Sequence, residues 1–413
     1  MSNTSLRITV KTIALFDTIP NGHHPTYLRL FSQILLEMGY RVLTFCPDPD
    51  ALQTWITQHH SEYAPNLYAI GATSPQVPAL PILDYTPRPM SALFQWKYAT
   101  DTIQSAASQL GYKPDLVFFP WLDSYLSDYL PSIIVDWLFP YNWSGLFFHP
   151  PYLLTGPKRL PIFGLPLTPY SATRSARCRS LALLDEFEVA KLQLILDKPV
   201  IPFPDLTDES LPDLTYPIAT QIREKAGDRK VIGLLGGLAP RKGLLTLLEV
   251  AKQWQQNDWF FVFVGELYEV FLSSEEISEI RRFAQSNPSN CFFHLDWIPD
   301  EPKFNAVVES CDVLFAAYEN FPYSSNMLAK AAVFEKLLIV SAGDCIGNRT
   351  EAFHLGISIP AGDVIQCIDA LTKLHKQLEF KEPYFKPDFE GYRKIHSLDQ
   401  LRLAFEAVCG HLN

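Results

Sequence analysis

The sequence predicts an α/β protein with two doubly wound domains, each a parallel β-sheet covered by helices. Short, almost wholly apolar runs such as 231–235 and 259–264 are typical of strands buried on both faces. Amphipathic helical segments separate these runs, and an alternation of strand and helix favours a parallel sheet. The length of 413 residues exceeds one ordinary hydrophobic core, which favours two such domains.

The N-terminal half begins with a strand–helix–strand unit. A strand over 12–16 leads through a turn into an amphipathic helix over 24–38, which Gly39 ends as a left-handed cap does. A strand over 41–46 completes the unit, and strands joined in this way lie parallel. The other elements predicted in this half are helices over 91–110 and 186–196, and strands over 115–119, 146–149, 181–184 and 200–201.

The C-terminal half is more regular than the N-terminal half. Residues 203–228 carry several prolines and acids with little periodicity, so a linker is expected there. The predicted organisation is an N-terminal domain over 1–205, a linker over 206–228, a second domain over 229–390, and a helix within 391–413 that packs back on the first domain. Elements predicted after the linker are strands over 231–235, 259–264, 291–295, 313–317 and 338–340, and helices over 243–256, 274–285, 302–310, 325–335, 363–376 and 397–411, with a Ser273/Glu276 capping box.

Composition excludes several classes of protein. The formal charge of −11, from 34 basic and 45 acidic residues, disfavours nucleic-acid binding. Seven scattered cysteines indicate reduced core thiols and no metal cluster. Asp48-Pro49-Asp50 looks like a metal-binding pair, but its turn chemistry predicts a loop and a helix start. No signal peptide or membrane-spanning helix is expected, which favours a cytoplasmic protein, free or peripheral at a membrane.

A glycine bend followed by a basic pair is the most informative motif. The run 231–235 ends at Gly236-Gly237, and Arg241 and Lys242 come just before an apolar-periodic helix. Free N–H groups, the helix dipole and two cations together make an anion site suited to a diphosphate. The alternative is an ordinary turn with a solvated basic pair. The motif is neither the spaced dinucleotide fingerprint nor a phosphate loop ending in Lys-Ser/Thr, so a redox enzyme or an ATPase is disfavoured.

Polar residues at the ends of predicted strands are further candidates. Ligands of doubly wound sheets bind beyond the carboxyl ends of the strands, and two such sheets can place their loops across a cleft. The candidates are Gly22, His23, Trp121, Asp123 and His149 in the first half, and Glu266, Trp297, Glu319, Ser324, Ser325 and Asn326 in the second.

The whole pattern resembles the retaining GT-B glycosyltransferases of the glycogen-synthase and mannosyltransferase-like group. Lys242-Gly243 matches the phosphate motif of that family, and Asn21-Gly22-His23 is similar to its glycine-rich first loop. His149 stands where the family contacts the sugar near the reacting carbon. The resemblance implies two Rossmann-like domains facing a cleft, a UDP- or GDP-linked sugar as donor, and neither a metal nor a separate cofactor.

The sequence departs from the family at three places. Gly237 stands where the family has an arginine. Glu319 matches the first of two glutamates, but Lys330 occupies the second position and is expected to be solvated or paired on its helix. The added residues Ser324, Ser325 and Asn326 fall at a helix start, where they bind the donor or only cap the helix. Trp297 is expected in the core rather than stacked on a base.

The function expected from these residues is glycosyl transfer to an unidentified acceptor. His149 is the predicted catalytic residue, and Trp121 and Asp123 are the predicted acceptor residues. A basic cluster within 158–179 suggests an anionic or membrane-associated acceptor. Two alternatives stay open: a catalytically inactive binding or partner protein, and a sugar-nucleotide epimerase. The predicted donor-binding residues are Gly22, His23, Gly236, Gly237, Arg241, Lys242, Glu266, Glu319, Ser324, Ser325 and Asn326.

Overall fold

A computed structural model describes residues 10–75, 88–127, 129–149, 158–159, 166–168, 170–196, 198–379 and 385–410. The chain divides into two compact units. The first unit comprises Met1–Pro204 and Ser397–Asn413, and the second comprises Asp205–His396. The main chain therefore passes between the units twice, after Pro204 and after His396.

The first unit contains a seven-stranded parallel sheet in the order β3-β2-β1-β4-β5-β8-β9. The order reverses between β1 and β4, where Ala14 lies beside Leu43 of β2 on one side and Val117 of β4 on the other. The strands are β1 Thr12–Phe16, β2 Arg41–Cys46, β3 Leu67–Gly71, β4 Leu116–Phe119, β5 Trp143–Phe147, β8 Cys178–Leu183 and β9 Val200–Pro202. A separate antiparallel pair consists of β6 Lys158–Arg159 and β7 Pro166–Leu167.

Aromatic residues fill both sides of this sheet. On one side, Trp96 packs edge-on against Phe119, Phe139 and Trp143 at centroid distances of 5.0 to 5.2 Å. On the other side, Phe405 of the last helix packs against Phe31 and other rings of the unit. The last helix thus belongs to the first unit. The helices of this unit are α1 His24–Glu37, α2 Pro49–His59, α3 Arg88–Leu110, α4 Ser132–Leu138, α5 Val189–Leu196 and α14 Leu398–Gly410.

The second unit contains a six-stranded parallel sheet in the order β12-β11-β10-β13-β14-β15. Its order reverses between β10 and β13, where Ile232 lies beside Val313. The strands are β10 Lys230–Leu235, β11 Trp259–Val264, β12 Cys291–His294, β13 Val313–Ala316, β14 Leu337–Ser341 and β15 Gly356–Ile359. The helices are α6 Pro217–Ala226, α7 Leu244–Gln253, α8 Ser274–Gln285, α9 Glu301–Glu309, α10 Asn326–Val333, α11 Asp344–Ala352, α12 Val364–Glu379 and α13 Phe389–Ile395.

These two sheets confirm the predicted α/β class and its doubly wound topology. The Ser273/Glu276 capping box is present in full at the start of α8. Asp48 caps α2 by accepting the N–H of Ala51, so the Asp-Pro-Asp segment is a helix start as predicted. All seven cysteines are buried thiols. Within the described ranges, no helix is both long and apolar enough to cross a membrane.

Several elements differ from the sequence prediction. The segment expected to be an irregular linker contains α6, and the buried Ile222 and Ala226 of this helix pack against Phe260 and Phe292. Only three of its residues, Ala219, Ile222 and Ala226, are buried, which left little periodicity to detect. The strand expected over 146–149 ends at Phe147. The elements β3, α4, α11, β15 and α13 were not predicted.

Candidate functional site

The glycine bend of the second unit lies where β10 ends, at the carboxyl edge of the sheet. Gly236 has φ +87° and Gly265, after β11, has φ +138°. A Cβ added to Gly265 would lie 1.9 Å from the carbonyl oxygen of Gly236, so the two backbones approach as only glycine allows. Beyond the strands, a bridge between Leu238 and Leu267 continues the pairing. The loops after β10 and β11 therefore form one connected surface.

The basic pair lies in a short turn just before α7. Pro240–Lys242 forms one 3-10 turn, and α7 begins at Leu244. Gly243 links them in the left-handed conformation at φ +74°, and a Cβ there would lie 2.6 Å from the carbonyl oxygen of Ala317. The close contact between Gly243 and Ala317 thus places the basic pair next to the start of α7 and next to the loop after β13.

Both cations lean towards aromatic rings of the loop after β13. The Arg241 guanidinium carbon lies 5.3 Å from the ring centroid of Phe321, and the Lys242 ammonium lies 5.6 Å from that of Tyr318. The Lys242 nitrogen is also 3.5 Å from where a Cβ on Gly236 would stand. Arg241 is exposed and Lys242 is half-buried. Neither side chain makes a hydrogen bond or ion pair with the residues that the structure describes, so two positive charges stand at the bend without a carboxylate partner.

Two glutamates lie near this pair. The backbone N–H of Glu319 donates to the carbonyl oxygen of Arg241 at 2.8 Å, which ties the loop after β13 to the basic turn. The carboxylate of Glu319 accepts from the hydroxyl of Thr246 on α7 at 3.4 Å. Glu266 is exposed, directly after Gly265. Both carboxylates stand at the carboxyl edge of the sheet, as the strand ends predicted.

The added residues before α10 have different surroundings from one another. Ser325 caps α10 through the N–H of Met327 and lies 3.4 Å from the hydroxyl of Tyr318. Ser324 donates to the carboxylate of Asp205. Asn326 is buried and donates to the carbonyl oxygen of Leu206 at 2.8 Å. Ser324 and Asn326 thus bind the segment that begins the second unit, whereas Ser325 stays beside the basic pair.

Lys330 is buried and paired, which confirms one of its two expected environments. Its ammonium donates to the carbonyl oxygen of Asp208 at 2.8 Å, to Glu301 at 2.9 Å and to the side-chain oxygen of Asn305 at 2.6 Å. Burial lowers the pKa of Lys330, while the Glu301 carboxylate raises it. The position where the resemblance places a second glutamate therefore stabilises the start of the second unit.

Trp297 is not in the core, so that expectation was wrong. It follows β12 and is 52% exposed. The strand ends three residues earlier, at His294, and the ring therefore stands on a loop. Its exposure leaves it available for stacking, the alternative that the sequence also offered.

In the first unit, Asp123 and His149 lie beyond the carboxyl ends of β4 and β5. The Asp123 carboxylate accepts the backbone N–H of Phe148 at 3.0 Å and that of His149 at 2.9 Å. Burial raises the pKa of Asp123 to about 6, against the lowering effect of these hydrogen bonds. Both oxygens of Asp123 therefore hold the backbone that carries His149.

Trp121 is the centre of an aromatic cluster at the same edge. Its ring stacks on Phe148 at 4.4 Å and 28°. It also lies 4.7 Å from the ring of His24 and 5.2 Å, edge-on, from the ring of His149. The structure thus brings His149 beside Trp121 and Asp123, which lie more than 20 residues earlier in the sequence.

A side-chain hydrogen bond between His24 and Asp17 at this edge was missed by the sequence prediction. Nδ1 of His24 lies 2.6 Å from the carboxylate of Asp17, which is buried directly after β1. The signal was available, because Asp17 occupies a strand exit. Gly22 is exposed at φ +69°, and the exposed His23 accepts the N–H of Tyr27 through its carbonyl oxygen.

The predicted basic cluster lies only partly within the described residues. The side chains of Lys158 and Arg159 are outside them, and so are residues 150–157 and 160–165 of the loop between β5 and β8. Arg174 is exposed, and Arg179 donates to the side-chain oxygen of Asn142 at 2.8 Å and 3.0 Å. Among the described residues, no group of three His, Cys, Asp or Glu side chains could hold a metal ion.

Solved structures with the same architecture are known, although the sequence matches no protein-family model and no curated protein. A sucrose-phosphate synthase from Thermosynechococcus elongatus is 16% identical with a TM-score of 0.64, covering 97% of this chain and 99% of that chain. HepE of Anabaena, in complex with UDP and glucose, is 14% identical with a TM-score of 0.63 and the same coverage. A glycosyltransferase from Rickettsia africae is 12% identical with a TM-score of 0.62, covering 98% and 99%. The chain therefore has the GT-B fold, as the sequence resemblance predicted.

Proposed function

We propose that this protein is a glycosyltransferase that uses a nucleotide diphosphate sugar as donor. The observation that carries the proposal is the pair of cations, Arg241 and Lys242, beside a glycine bend at the carboxyl edge of the second sheet. Neither has an anionic partner among the described residues, and an incoming diphosphate would supply one. The GT-B fold and the presence of UDP and glucose in HepE support the same assignment.

The proposed reaction moves the sugar from the diphosphate to an acceptor hydroxyl, with the nucleoside diphosphate as leaving group. Lys242 and Arg241 stabilise the negative charge that develops on the departing phosphate oxygens. Fixed cations can do this without a metal, and the resemblance implies retention of configuration. Two carboxylates lie beside the bend, those of Glu266 and Glu319, and they can accept hydrogen bonds from ribose and sugar hydroxyls. The nearby hydroxyl of Ser325 can both donate and accept.

In the first unit, we assign His149 to positioning the sugar near the reacting carbon. Asp123 acts through His149, because its carboxylate fixes the backbone N–H of that residue. Trp121 offers an apolar wall against which an acceptor can pack. Gly22 and His23 form an exposed loop that can approach a ligand closely, since no side chain projects from Gly22.

Calorimetric titration with UDP and with GDP tests the donor site. We expect the wild type to bind one of them, and Lys242→Ala to lose on the order of 2 kcal/mol of binding free energy, because a charge-assisted contact is removed. Lys252→Ala is the matched control, since Lys252 pairs with Glu279 on the side of the unit formed by α7 and α8. Equal affinity in the wild type and Lys242→Ala would contradict the assignment.

A catalytically inactive binding protein is the second candidate. It is favoured by Lys330, which takes the place of a carboxylate and is committed to Asp208, Glu301 and Asn305. The two candidates differ in turnover. Slow release of sugar from the bound donor in water supports the transferase, whereas nucleotide binding without any hydrolysis or transfer supports the binding protein.

A further inference from the structure

The space beside Gly237 is occupied by the ring of Tyr268. A Cβ added to Gly237 would lie 2.7 Å from both Cε2 and Cζ of Tyr268, and 3.0 Å from its hydroxyl oxygen. Real Cβ atoms do not approach other atoms as closely as 2.7 Å. No residue larger than glycine therefore fits at position 237 while Tyr268 keeps this place. The ring of Tyr268 thus occupies the space that an arginine at position 237 would need.

The position of Tyr268 is fixed by the connected loops. Its backbone N–H donates to the carbonyl oxygen of Leu238 at 2.9 Å. The N–H of Leu238 in turn donates to the carbonyl oxygen of Glu266 at 2.8 Å. The backbone of Tyr268 is thus tied to the loop that carries the glycine bend, and its ring lies beside Gly237.

The hydroxyl of Tyr268 and the ammonium of Lys242 lie beside adjacent residues of the bend. The hydroxyl lies beside Gly237, and the ammonium lies beside Gly236. Tyr268 is half-buried, and its hydroxyl makes no hydrogen bond within the described part of the chain. A phenol donates a hydrogen bond readily to a phosphate oxygen and carries no charge of its own. The bend therefore presents one charged and one neutral donor within two residues.

We propose that Tyr268 binds the diphosphate of the donor, its hydroxyl donating a hydrogen bond to a phosphate oxygen beside Gly237. This inference rests on the proposed function, since it adds a ligand-binding residue to the same site. It also explains why position 237 is glycine: the phenol takes the place of a side chain from the bend itself.

Calorimetric titration of UDP, UMP and uridine into three proteins tests the proposal. Tyr268→Phe keeps the ring and removes only the hydroxyl, so it should weaken UDP binding about tenfold. Uridine binding should not change, because the contact is to phosphate. Lys252→Ala should bind UDP as the wild type does, and equal melting temperatures show that all three proteins are folded.

A second pair of variants tests the exclusion between the two positions. Gly237→Arg alone should lower UDP affinity, because its side chain displaces Tyr268. In the Tyr268→Ala background, the same Gly237→Arg change should raise UDP affinity above that of Tyr268→Ala. A change of sign of this kind measures direct coupling of the two sites.

The outcomes separate this inference from the proposed function. If the wild type binds UDP and Tyr268→Phe binds it equally well, the tyrosine assignment is overturned while the donor site stands. If Tyr268→Phe weakens uridine as much as UDP, the hydroxyl contacts the nucleoside and the assignment to phosphate fails. If the wild type binds neither UDP nor GDP, the donor site fails and the tyrosine assignment with it.

Discussion

The carboxyl edges of the two sheets differ in whether their charged side chains have partners within the chain. At the first edge, Asp17 pairs with His24 at 2.6 Å, and Asp123 accepts two backbone N–H groups. At the second edge, the side chains of Arg241 and Lys242 lie beside the rings of Phe321 and Tyr318, and neither pairs with a carboxylate of the described residues. At the first edge, the carboxylates of Asp17 and Asp123 have partners within the chain, whereas the second edge carries two positive charges that no described carboxylate pairs with.

Under the proposed function, this difference predicts which part of a sugar nucleotide each edge would bind. The diphosphate is the charged part, and it would complete the second edge. The sugar and the acceptor are rich in hydroxyl groups. For these, the first edge would offer His149, whose backbone N–H is held by Asp123, and the half-buried aromatic ring of Trp121. The paired acids of the first edge then serve to hold that surface, because their charges are already satisfied within the chain.

The largest expected effect is the loss of stability caused by Gly265→Ala at the second edge, which we compare with Gly22→Ala at the first edge. Gly265→Ala places a Cβ 1.9 Å from the carbonyl oxygen of Gly236 at φ +138°, so we expect a loss of about 3–5 kcal/mol of stability. A Cβ at Gly22 meets no atom of the described residues within 4 Å, and its φ of +69° is unfavourable for alanine, so we expect Gly22→Ala to lose about 1 kcal/mol. Urea unfolding of both variants measures the difference.

The same two variants also test the function of the edges. Gly265→Ala should abolish UDP binding, because the bend cannot keep its shape. Gly22→Ala should leave UDP binding to the second unit nearly unchanged. Comparable losses of stability in the two variants would show that the close approach of Gly236 and Gly265 is not a constraint on the fold.

The next effect concerns Asp123, the half-buried acid of the first edge. Burial raises the pKa of Asp123 from 3.8 to about 6, so between these values the folded protein holds a proton that the unfolded chain has lost. Stability from this group is therefore greatest below about pH 4 and falls as the pH rises to about 6, by at most about 3 kcal/mol.

Urea unfolding of the wild type and Asp123→Asn across this pH window checks the sign. The difference in unfolding free energy, wild type minus variant, should decrease as the pH rises from about 4 to 6, since all other groups cancel in the difference. A difference that stays constant, or that increases with pH, would contradict the raised pKa of Asp123.

The general plan of both sheets could be predicted because parallel strands leave a local signature of apolar runs. The glycine bend and basic pair were equally local, and the structure places them at the expected strand exit. Their detail was not predictable: the carbonyl oxygen of Ala317, a residue more than 70 positions away, leaves no room for a Cβ at Gly243. Such contacts leave no mark on the short-range pattern.

The roles of Ser324, Asn326 and Lys330 show the same limit. Each side chain binds the segment 205–208, over a separation of about 120 residues. From the sequence, polar residues at a helix start are equally suited to ligand binding and to capping. Only the structure shows which of these side chains are already hydrogen-bonded to residues 205–208, the segment that enters the second unit. For Ser325, which faces Tyr318, the donor-binding role stays a prediction.

The smallest expected effect separates the two cations of the second edge. Arg241 is exposed while Lys242 is half-buried, so water and salt screen the Arg241 charge more strongly. Arg241→Ala should therefore weaken UDP binding by only about 0.5–1 kcal/mol at low salt, and the loss should shrink as salt is added. Arg282→Ala, which removes an exposed charge from α8, is the matched control and should have no effect. Calorimetry at two salt concentrations measures both, and a loss for Arg241→Ala as large as that for Lys242→Ala would mean that the bound diphosphate shields Arg241 from solvent.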